Sequence, residues 1–191
     1  MNLKIENLSS TLSPAEFYIR QDGNILYHID EIPSNACIRF LGYTKFRLLF
    51  PLEIEMVDLR NSNRYIIKRR SSFCVASYKL AGTDNSLLIT FQPKKIGQKW
   101  LHFSSFLTYE IRDNCDKRIG AVAFKNPFII GSQHSEVKDA KGNNVATFDW
   151  KSFSFWKGYR DCDLLIASDD ERWVLISIVA AIIKGLYLQQ R

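Results

Sequence analysis

Basic side chains form two short clusters, and these are the clearest candidate binding residues in the sequence. The first cluster, at the end of "IIKRR", is Lys68, Arg69 and Arg70. The second, within "QPKKIGQKW", is Lys94, Lys95 and Lys99. The chain has a formal net charge of +6, and clustered Lys and Arg attract nucleic acid, anionic lipid or phosphorylated ligands. Solvated strand ends and turns contain similar runs, so a role without any ligand is the alternative interpretation.

Residues that could support catalysis do not form a recognisable motif. The sequence contains no GxSxG, HExxH, P-loop or GxGxxG pattern. A metal site would need His28, His102 or His134 to lie beside carboxylates in the fold, and spacing alone does not show this, so no metal site is predicted. Glu53 and Glu55 share one strand face, and we expect them to face solvent because their neighbours are apolar. The sequence therefore predicts no catalytic residue, metal or cofactor.

Cysteine usage and the N-terminal sequence bear on the cellular compartment. The four cysteines are Cys37, Cys74, Cys115 and Cys162. No CxxC pair occurs, which argues against a zinc knuckle and favours reduced, mostly packed thiols. The first residues, "MNLKIENLSSTLSPAEF", contain no long apolar stretch typical of a secretory signal. We expect a cytoplasmic protein, peripheral to the membrane if it binds lipid. Nucleic acid is not a predicted partner, because no RNP-type, helix-turn-helix or zinc-finger motif is present.

Antiparallel strands are the elements predicted to position these residues. Apolar and polar residues alternate around turns rich in Asp, Asn and Gly, which is typical of β-hairpins. Such hairpins are "FYIRQDGNILYHI" (17–29), "LEIEMVDLRNSNRYIIKRR" (52–70), "TYEIRDNCDKRIGAVAFK" (108–125) and "SEVKDAKGNNVATFDW" (135–150). Further strands are predicted in residues 37–50, 71–91, 99–106, 151–156 and 163–168. The total is about twelve strands.

The C-terminal sequence, "RWVLISIVAAIIKGLYLQQR", predicts the one long helix, over about residues 169–188. Ser168 and Glu171 have the spacing of a capping box at its start. The segment is apolar on all sides, which indicates burial on all sides. It has about sixteen mostly apolar residues, and a membrane-spanning helix needs ~20. We therefore predict a buried core helix, with a C-terminal membrane anchor as the alternative.

A helix buried on all sides among many strands indicates a closed barrel that surrounds it. Closure also leaves no free sheet edge. The predicted fold is thus mainly β, a closed antiparallel β-barrel of about twelve strands around a central hydrophobic C-terminal α-helix. Residues 1–15 are predicted to be a lead-in segment, and residues 16–191 a single domain.

This combination resembles the tubby C-terminal-like superfamily, which includes tubby domains, phospholipid scramblases, LURP-one-related proteins and bacterial relatives. The resemblance lies in "YEIRDNCDKRIGAVAFK", "SEVKDAKGNNVATFDW" and "DLLIASDDERWVLISIVAAII", within a match over roughly residues 15–190. It implies a twelve-stranded barrel around a central helix. Tubby domains bind phosphoinositide headgroups, so the resemblance also implies an anionic lipid ligand. No basic motif here aligns with the tubby pocket, and no residue role is carried over.

The expected function is that of a non-enzymatic binding module. Its ligand would be an anionic phospholipid headgroup or another phosphorylated molecule, bound by a basic surface patch. The expected binding residues are Lys68, Arg69, Arg70, Lys94, Lys95 and Lys99. A scaffold that binds protein partners through the barrel surface is the alternative. The sequence predicts neither the identity of the ligand nor the oligomeric state.

Overall fold

The computed structural model describes residues 1–8, 14–32, 51–70, 76–84, 86–94, 106–125, 133–154 and 158–189. Within these ranges the chain forms twelve strands and one helix. The strands are β1 (Asn2–Asn7), β2 (Glu16–Gln21), β3 (Asn24–Glu31), β4 (Leu52–Asp58), β5 (Arg64–Arg69), β6 (Tyr78–Gly82), β7 (Leu87–Pro93), β8 (Phe106–Asp113), β9 (Arg118–Lys125), β10 (Gln133–Asp139), β11 (Asn144–Ser154) and β12 (Gly158–Ile166). The helix, α1, is Glu171–Gln189.

The strands form a closed antiparallel barrel, which confirms the predicted fold class. Each strand pairs with its neighbours in the chain, and β12 pairs with β1 to close the sheet. Because consecutive strands alternate in direction, the β2–β3, β4–β5, β6–β7, β8–β9 and β10–β11 connections all lie at one end of the barrel, here called the turn end. The strand ends that are followed by the β1–β2, β3–β4, β5–β6, β7–β8, β9–β10 and β11–β12 segments lie at the other end, here called the loop end.

The hairpin turns form where the Asp-rich sequences predicted them. In the β8–β9 turn, one carboxylate oxygen of Asp113 accepts hydrogen bonds from the backbone N–H groups of Cys115 and Lys117. In the β10–β11 turn, Asp139 accepts the equivalent bonds from Lys141 and Asn143. These bonds satisfy turn N–H groups that the strand ladder leaves without partners.

The positive-φ position is also shared by these two turns. Asp116 has φ 60° in the first turn and Gly142 has φ 90° in the second. Asp and Gly tolerate this left-handed conformation better than most residues. The two sequences "DNCDK" and "DAKGN" therefore specify the same local geometry.

The prediction that residues 1–15 form a lead-in segment is wrong for β1. Leu3 and Ile5 point into the barrel, and Lys4 and Glu6 point outward. The strand pairs with β12 on one side and β2 on the other, so it closes the barrel. The alternation in "NLKIEN" is the period-two signal of a half-buried strand.

The predicted central helix is confirmed. Every one of the twelve strands contributes side chains to a single hydrophobic core, and α1 contributes the largest continuous stretch. Described side chains of the helix from Val174 to Leu186 are all buried, including Ser177 and Lys184. The Lys184 Nζ lies 5.6 Å from the centroid of the Phe124 ring. In the described part of the chain, no helix has the length and apolar character needed to cross a membrane.

Two Trp–Gly contacts fix the helix against the barrel wall. Near the start of α1, a Cβ atom at Gly120 of β9 would lie 2.9 Å from Trp173. Farther along, a Cβ atom at Gly185 would lie 2.5 Å from Trp150 of β11, whose Nε1–H donates a hydrogen bond of 3.1 Å to the Ala181 carbonyl. Each glycine provides the space that the opposing indole occupies, so no other residue fits there without rearrangement.

Three sequence-based boundaries need correction. The helix cap is Asp170 rather than Ser168, because the Asp170 carboxylate accepts from the Arg172 N–H and its carbonyl accepts from Val174. Residues 144–154 form one strand, β11, where two were predicted. The last predicted strand begins at Gly158 and not at Asp163. The predicted strand at 37–50 and most of that at 99–106 lie outside the described residues.

Candidate functional site

The first basic cluster is divided between the two faces of the barrel wall. Lys68 lies on the outer face of β5, with 39% of its side chain exposed. Arg69 lies on the inner face and is 2% exposed. The expectation that Arg69 belongs to a surface patch therefore does not hold, because consecutive residues of a strand point to opposite faces. Arg69 is instead part of an inner row with Leu52 and Tyr78.

Lys79 of β6 lies directly opposite Lys68 on the neighbouring strand. Both residues are partly exposed on the outer face. Their Cα atoms occupy paired positions, which in an antiparallel sheet are about 4.5–5.5 Å apart. Lys79 is not among the binding residues predicted from sequence, because only the register of β5 and β6 places it beside Lys68.

Arg70 and Lys94 extend the basic surface towards the loop end. Arg70 directly follows β5, Lys94 directly follows β7, and both are exposed. The Lys94 backbone N–H donates to the Thr108 carbonyl, so its main chain is held against β8. Lys95 and Lys99 lie outside the described residues. The outer-face basic patch is thus defined here as Lys68, Arg70, Lys79 and Lys94.

Acidic groups border this patch only in part. The Lys68 Nζ lies 3.6 Å from Glu53 Oε1, across the β4–β5 pair. On β8, Arg112 donates a hydrogen bond of 2.9 Å to Glu110.

As predicted, Glu53 and Glu55 face outward; Glu55 lies 3.2 Å from Arg64. These carboxylates act as exposed ion-pair partners, a role that requires no acid/base chemistry.

The two ends of the barrel differ in the charge of their connections. Between the strand ends that meet at the loop end, the sequence segments 8–15, 32–51, 70–77, 94–105, 126–132 and 155–157 contain no Asp or Glu. Their basic residues are Arg39, Lys45, Arg47, Arg70, Lys94, Lys95, Lys99 and Lys157. The turn-end segments 22–23, 59–63, 83–86, 114–117, 140–143 and 167–170 contain Asp22, Asp84, Asp116, Asp169 and Asp170 beside Arg60, Lys117 and Lys141. Positive charge is therefore concentrated in the sequence of the loop end.

A partly buried polar network lies at the turn end, where Asp58 and Tyr27 are buried and Arg60 is 45% exposed. The Asp58 side chain is 1% exposed, and it accepts hydrogen bonds from the backbone and the guanidinium of Arg60. Arg60 also donates to the Tyr27 hydroxyl and lies over the Tyr27 ring. Burial alone would raise the pKa of Asp58, but the hydrogen bonds and the charge of Arg60 outweigh it and lower that pKa. Burial raises the pKa of Tyr27, so the network holds a neutral phenol beside an ion pair.

The two described cysteines differ in environment. Cys162 is fully buried in the core, and burial raises the pKa of its thiol well above the usual value. It is a small packed residue, as predicted, and not an activated nucleophile. Cys115 is exposed in the β8–β9 turn. Cys37, Cys74 and His102 lie outside the described residues.

The geometry defines a class of protein, a closed twelve-stranded antiparallel barrel filled by a helix. Comparison with protein-family models, with curated proteins and with solved structures gives no match to this chain.

Proposed function

We propose that this protein is a non-enzymatic binding module that recognises an anionic phospholipid headgroup or another phosphorylated ligand. The ligand would bind the outer-face basic patch, with Lys95 and Lys99 contributing from the sequence that follows Lys94. The observation that carries the proposal is the direct pairing of Lys68 with Lys79 on adjacent strands.

Like charges directly opposite each other destabilise an antiparallel pair. Glu53 offsets this repulsion in part, but its carboxylate lies 3.6 Å from only one of the two ammonium groups, that of Lys68. A phosphate group bound between the two lysines would accept hydrogen bonds from both and remove the repulsion. The pairing is therefore more readily explained by an anionic ligand than by stability.

The loop-end sequences support a membrane surface as the source of that phosphate. They combine basic residues with large apolar ones, such as Ile96 and Trp100 beside Lys95 and Lys99. Basic segments with aromatic and apolar neighbours bind anionic leaflets by electrostatic attraction and shallow apolar contact. The resemblance to the tubby-like superfamily, whose tubby domains bind phosphoinositides, supports the same ligand class.

Liposome flotation tests the proposal. The purified chain is mixed with phosphatidylcholine vesicles, with or without an anionic phosphoinositide, at low and at high salt. We expect flotation with the anionic vesicles only, and we expect high salt to weaken it because screening shortens the range of the attraction. Lys68→Ala/Lys79→Ala should reduce binding at least about tenfold, since each lost phosphate contact contributes ~1 kcal/mol near the surface.

The matched control is Lys4→Ala/Lys138→Ala. It removes the same net charge from the outer face of β1 and β10, so it should bind like the wild type. Equal loss in both double variants would show that only net charge matters, and the patch would be rejected. Competition by a soluble inositol phosphate would separate a headgroup site from general membrane adhesion. Equal binding to neutral and anionic vesicles would favour the scaffold alternative.

A further inference from the structure

A second group of polar side chains lies on the outer face of the β2–β3 hairpin. The register places Glu16 opposite Asp30 and Tyr18 opposite His28. Asp30 and His28 are two residues apart on β3, so their side chains share one face. The donor atoms of Glu16, His28 and Asp30 all lie within 4.8 Å of one another.

The distances from His28 Nε2 to the two carboxylates bracket the edge length of a tetrahedral metal coordination shell. His28 Nε2 lies 3.1 Å from Asp30 Oδ2 and 3.8 Å from Glu16 Oε1. Metal–ligand bonds of about 2.0–2.2 Å at tetrahedral angles put neighbouring ligand atoms about 3.3–3.5 Å apart. Small rotations of the two carboxylates would therefore place one ion in contact with all three donor atoms.

The orientation of His28 is a further observation. Its Nε2 atom is inaccessible to solvent and makes no hydrogen bond, although the side chain as a whole is 32% exposed and Nε2 lies within ion-pair distance of both carboxylates. The approach to Asp30 is short enough for a hydrogen bond but is not directed as one. A buried polar atom without a hydrogen bond is costly, and a metal ion facing Nε2 would satisfy it.

The surroundings hold the imidazole in place and add negative charge. The Tyr18 ring stacks on His28, with centroids 4.7 Å apart and planes 12° apart. Glu55 of β4 lies opposite Asp30 in the register. Glu16, Asp30 and Glu55 therefore place three carboxylates in one row across three neighbouring strands. A bound cation would relieve the repulsion among these carboxylates.

The other described histidine provides an internal contrast. His134 also has a carboxylate two residues along its strand, Glu136, and one on the neighbouring strand, Asp149. However, Glu136 lies 3.7 Å from Nε2, and Asp149 lies 3.9 Å from Nδ1. The two carboxylates approach opposite sides of the ring and cannot share one ion with it. Among the described residues, only the β2–β3 group meets the geometric requirements for three metal ligands.

We propose that Glu16, His28 and Asp30 form a binding site for a divalent first-row transition-metal ion such as Zn²⁺. One imidazole and two carboxylates would supply three ligands, and water would complete the shell. An imidazole nitrogen favours such ions over Mg²⁺ and Ca²⁺, which take oxygen ligands. The site lies on two paired strands joined by a tight turn, so its ligands are held by rigid elements. It is independent of the proposed lipid-binding patch.

The test uses the full chain labelled with ¹⁵N-histidine in a Cys115→Ser background, which removes the exposed described thiol. Zn²⁺ is titrated while the imidazole nitrogen resonances are followed by NMR, with isothermal titration calorimetry alongside. We expect a saturable shift of the His28 Nε2 resonance at one equivalent, and little change for His134. Ions bound by other cysteines would leave the His28 resonance unmoved, so the readout identifies the site.

Variants complete the test. His28→Ala, and Glu16→Gln/Asp30→Asn, should weaken this binding about tenfold or more, since loss even of groups that only support a ligand costs 10–100-fold. His134→Ala should bind like the background protein. The proposal is overturned if the His28 resonance does not move with Zn²⁺, or if His134→Ala weakens binding as much as His28→Ala. All variants should retain the circular dichroism of the parent, because the exchanged side chains lie on the outer face.

Discussion

Lys68 and Arg69 are neighbours in the sequence, but the Lys68 side chain is exposed to solvent and the Arg69 side chain is buried inside the barrel. The same division holds around the wall. The inner face of every strand contributes apolar residues to one core. The outer face carries ion pairs such as Lys68–Glu53 and Arg64–Glu55, with side chains one-third to more than one-half exposed.

The difference separates the residues that determine the fold from those available for function. Exposed ion pairs contribute only ~0–1 kcal/mol each, so the outer face can change with little effect on stability. The inner face is close-packed around α1, and there a change of volume or charge is costly. Both proposed binding sites lie on the outer face, where side chains can be exchanged without loss of the fold.

The largest difference between the inner and outer faces is expected when a charged side chain is introduced. Ile182 of α1 is 0% exposed, and it lies two residues from Lys184, so an Asp there cannot pair with that lysine along the helix. We expect Ile182→Asp to abolish cooperative folding, because burying an unpaired carboxylate costs several kcal/mol out of the ~5–15 kcal/mol of a typical domain. Ile66→Asp, on the outer face of β5 where the side chain is partly exposed, should still fold. Thermal unfolding followed by circular dichroism checks both, and a cooperative transition for Ile182→Asp would contradict a central helix.

The next largest difference between the two faces is expected when side-chain volume is added. A Cβ at Gly120 would clash with the Lys138 carbonyl oxygen, which is main chain and cannot move aside easily. We expect Gly120→Val to destabilise the protein by about 3 kcal/mol or more, at the upper end of overpacking costs. Ala121→Val, the adjacent outer-face position, should cost less than ~0.5 kcal/mol. Urea unfolding measures both values, and similar losses would mean that the two faces of β9 are equally tolerant.

A smaller loss is expected at the buried Asp58. Asp58→Asn should lower the free energy of unfolding at pH 7 by about 1.5–3 kcal/mol, the range for hydrogen bonds to charged groups. The pKa of Asp58 is lowered in the folded state, so its stabilisation is present above the unfolded pKa, near 3.8, and is lost as pH falls through the folded value. The difference between wild type and Asp58→Asn should therefore shrink below about pH 4. A difference that stays constant down to pH 2 would exclude this linkage.

The smallest effect on stability is expected at the basic patch. Lys68→Ala should change the free energy of unfolding by less than ~0.5 kcal/mol, because its partner Glu53 is exposed and the loss of repulsion from Lys79 compensates. Glu53→Gln should be equally mild, but it should strengthen vesicle binding by removing the carboxylate nearest Lys68. Urea unfolding and flotation measure the two effects. A loss of stability above ~2 kcal/mol for Lys68→Ala would place this residue among those that determine the fold.

Local chemistry made much of the fold predictable. The turns at Asp113 and Asp139 follow from side chains that bond to their own backbone, and the apolar surface of α1 follows from composition alone. Residues 2–7 also show the alternation of apolar and polar residues that is typical of a strand. The alternation covers only six residues, however, and it predicts β1 weakly when the pairing with β2 and β12 is not known. The predicted helix cap, Ser168, and the observed cap, Asp170, both have side-chain oxygens that can accept a hydrogen bond from a backbone N–H group. Sequence alone therefore does not distinguish between them.

The binding surfaces were less predictable because they depend on register. Lys68 and Arg69 were grouped as neighbours in sequence, although the strand period that predicted β5 also separates them. Lys79 became a candidate only when β6 was aligned with β5. The grouping of Glu16 with His28 depends on a register that shifts by one residue between Ile19 and Arg20. Such a bulge reverses which residues share a face, and the sequence does not reveal it.

Closure of the barrel by β1 and β12 has a consequence for how the protein folds. The Met1 amino group donates a hydrogen bond to the Ile166 carbonyl across 165 residues, so the pairing that completes the sheet joins segments that are far apart in the chain. Contacts of such long sequence separation slow folding. Until β12 leaves the ribosome, β1 has one unpaired edge and the apolar inner wall has no helix to cover it. A chain in which β12 and α1 have not yet packed is thus open and exposes unpaired edges and apolar surface, and the pairing of β12 with β1 ends that aggregation-prone state.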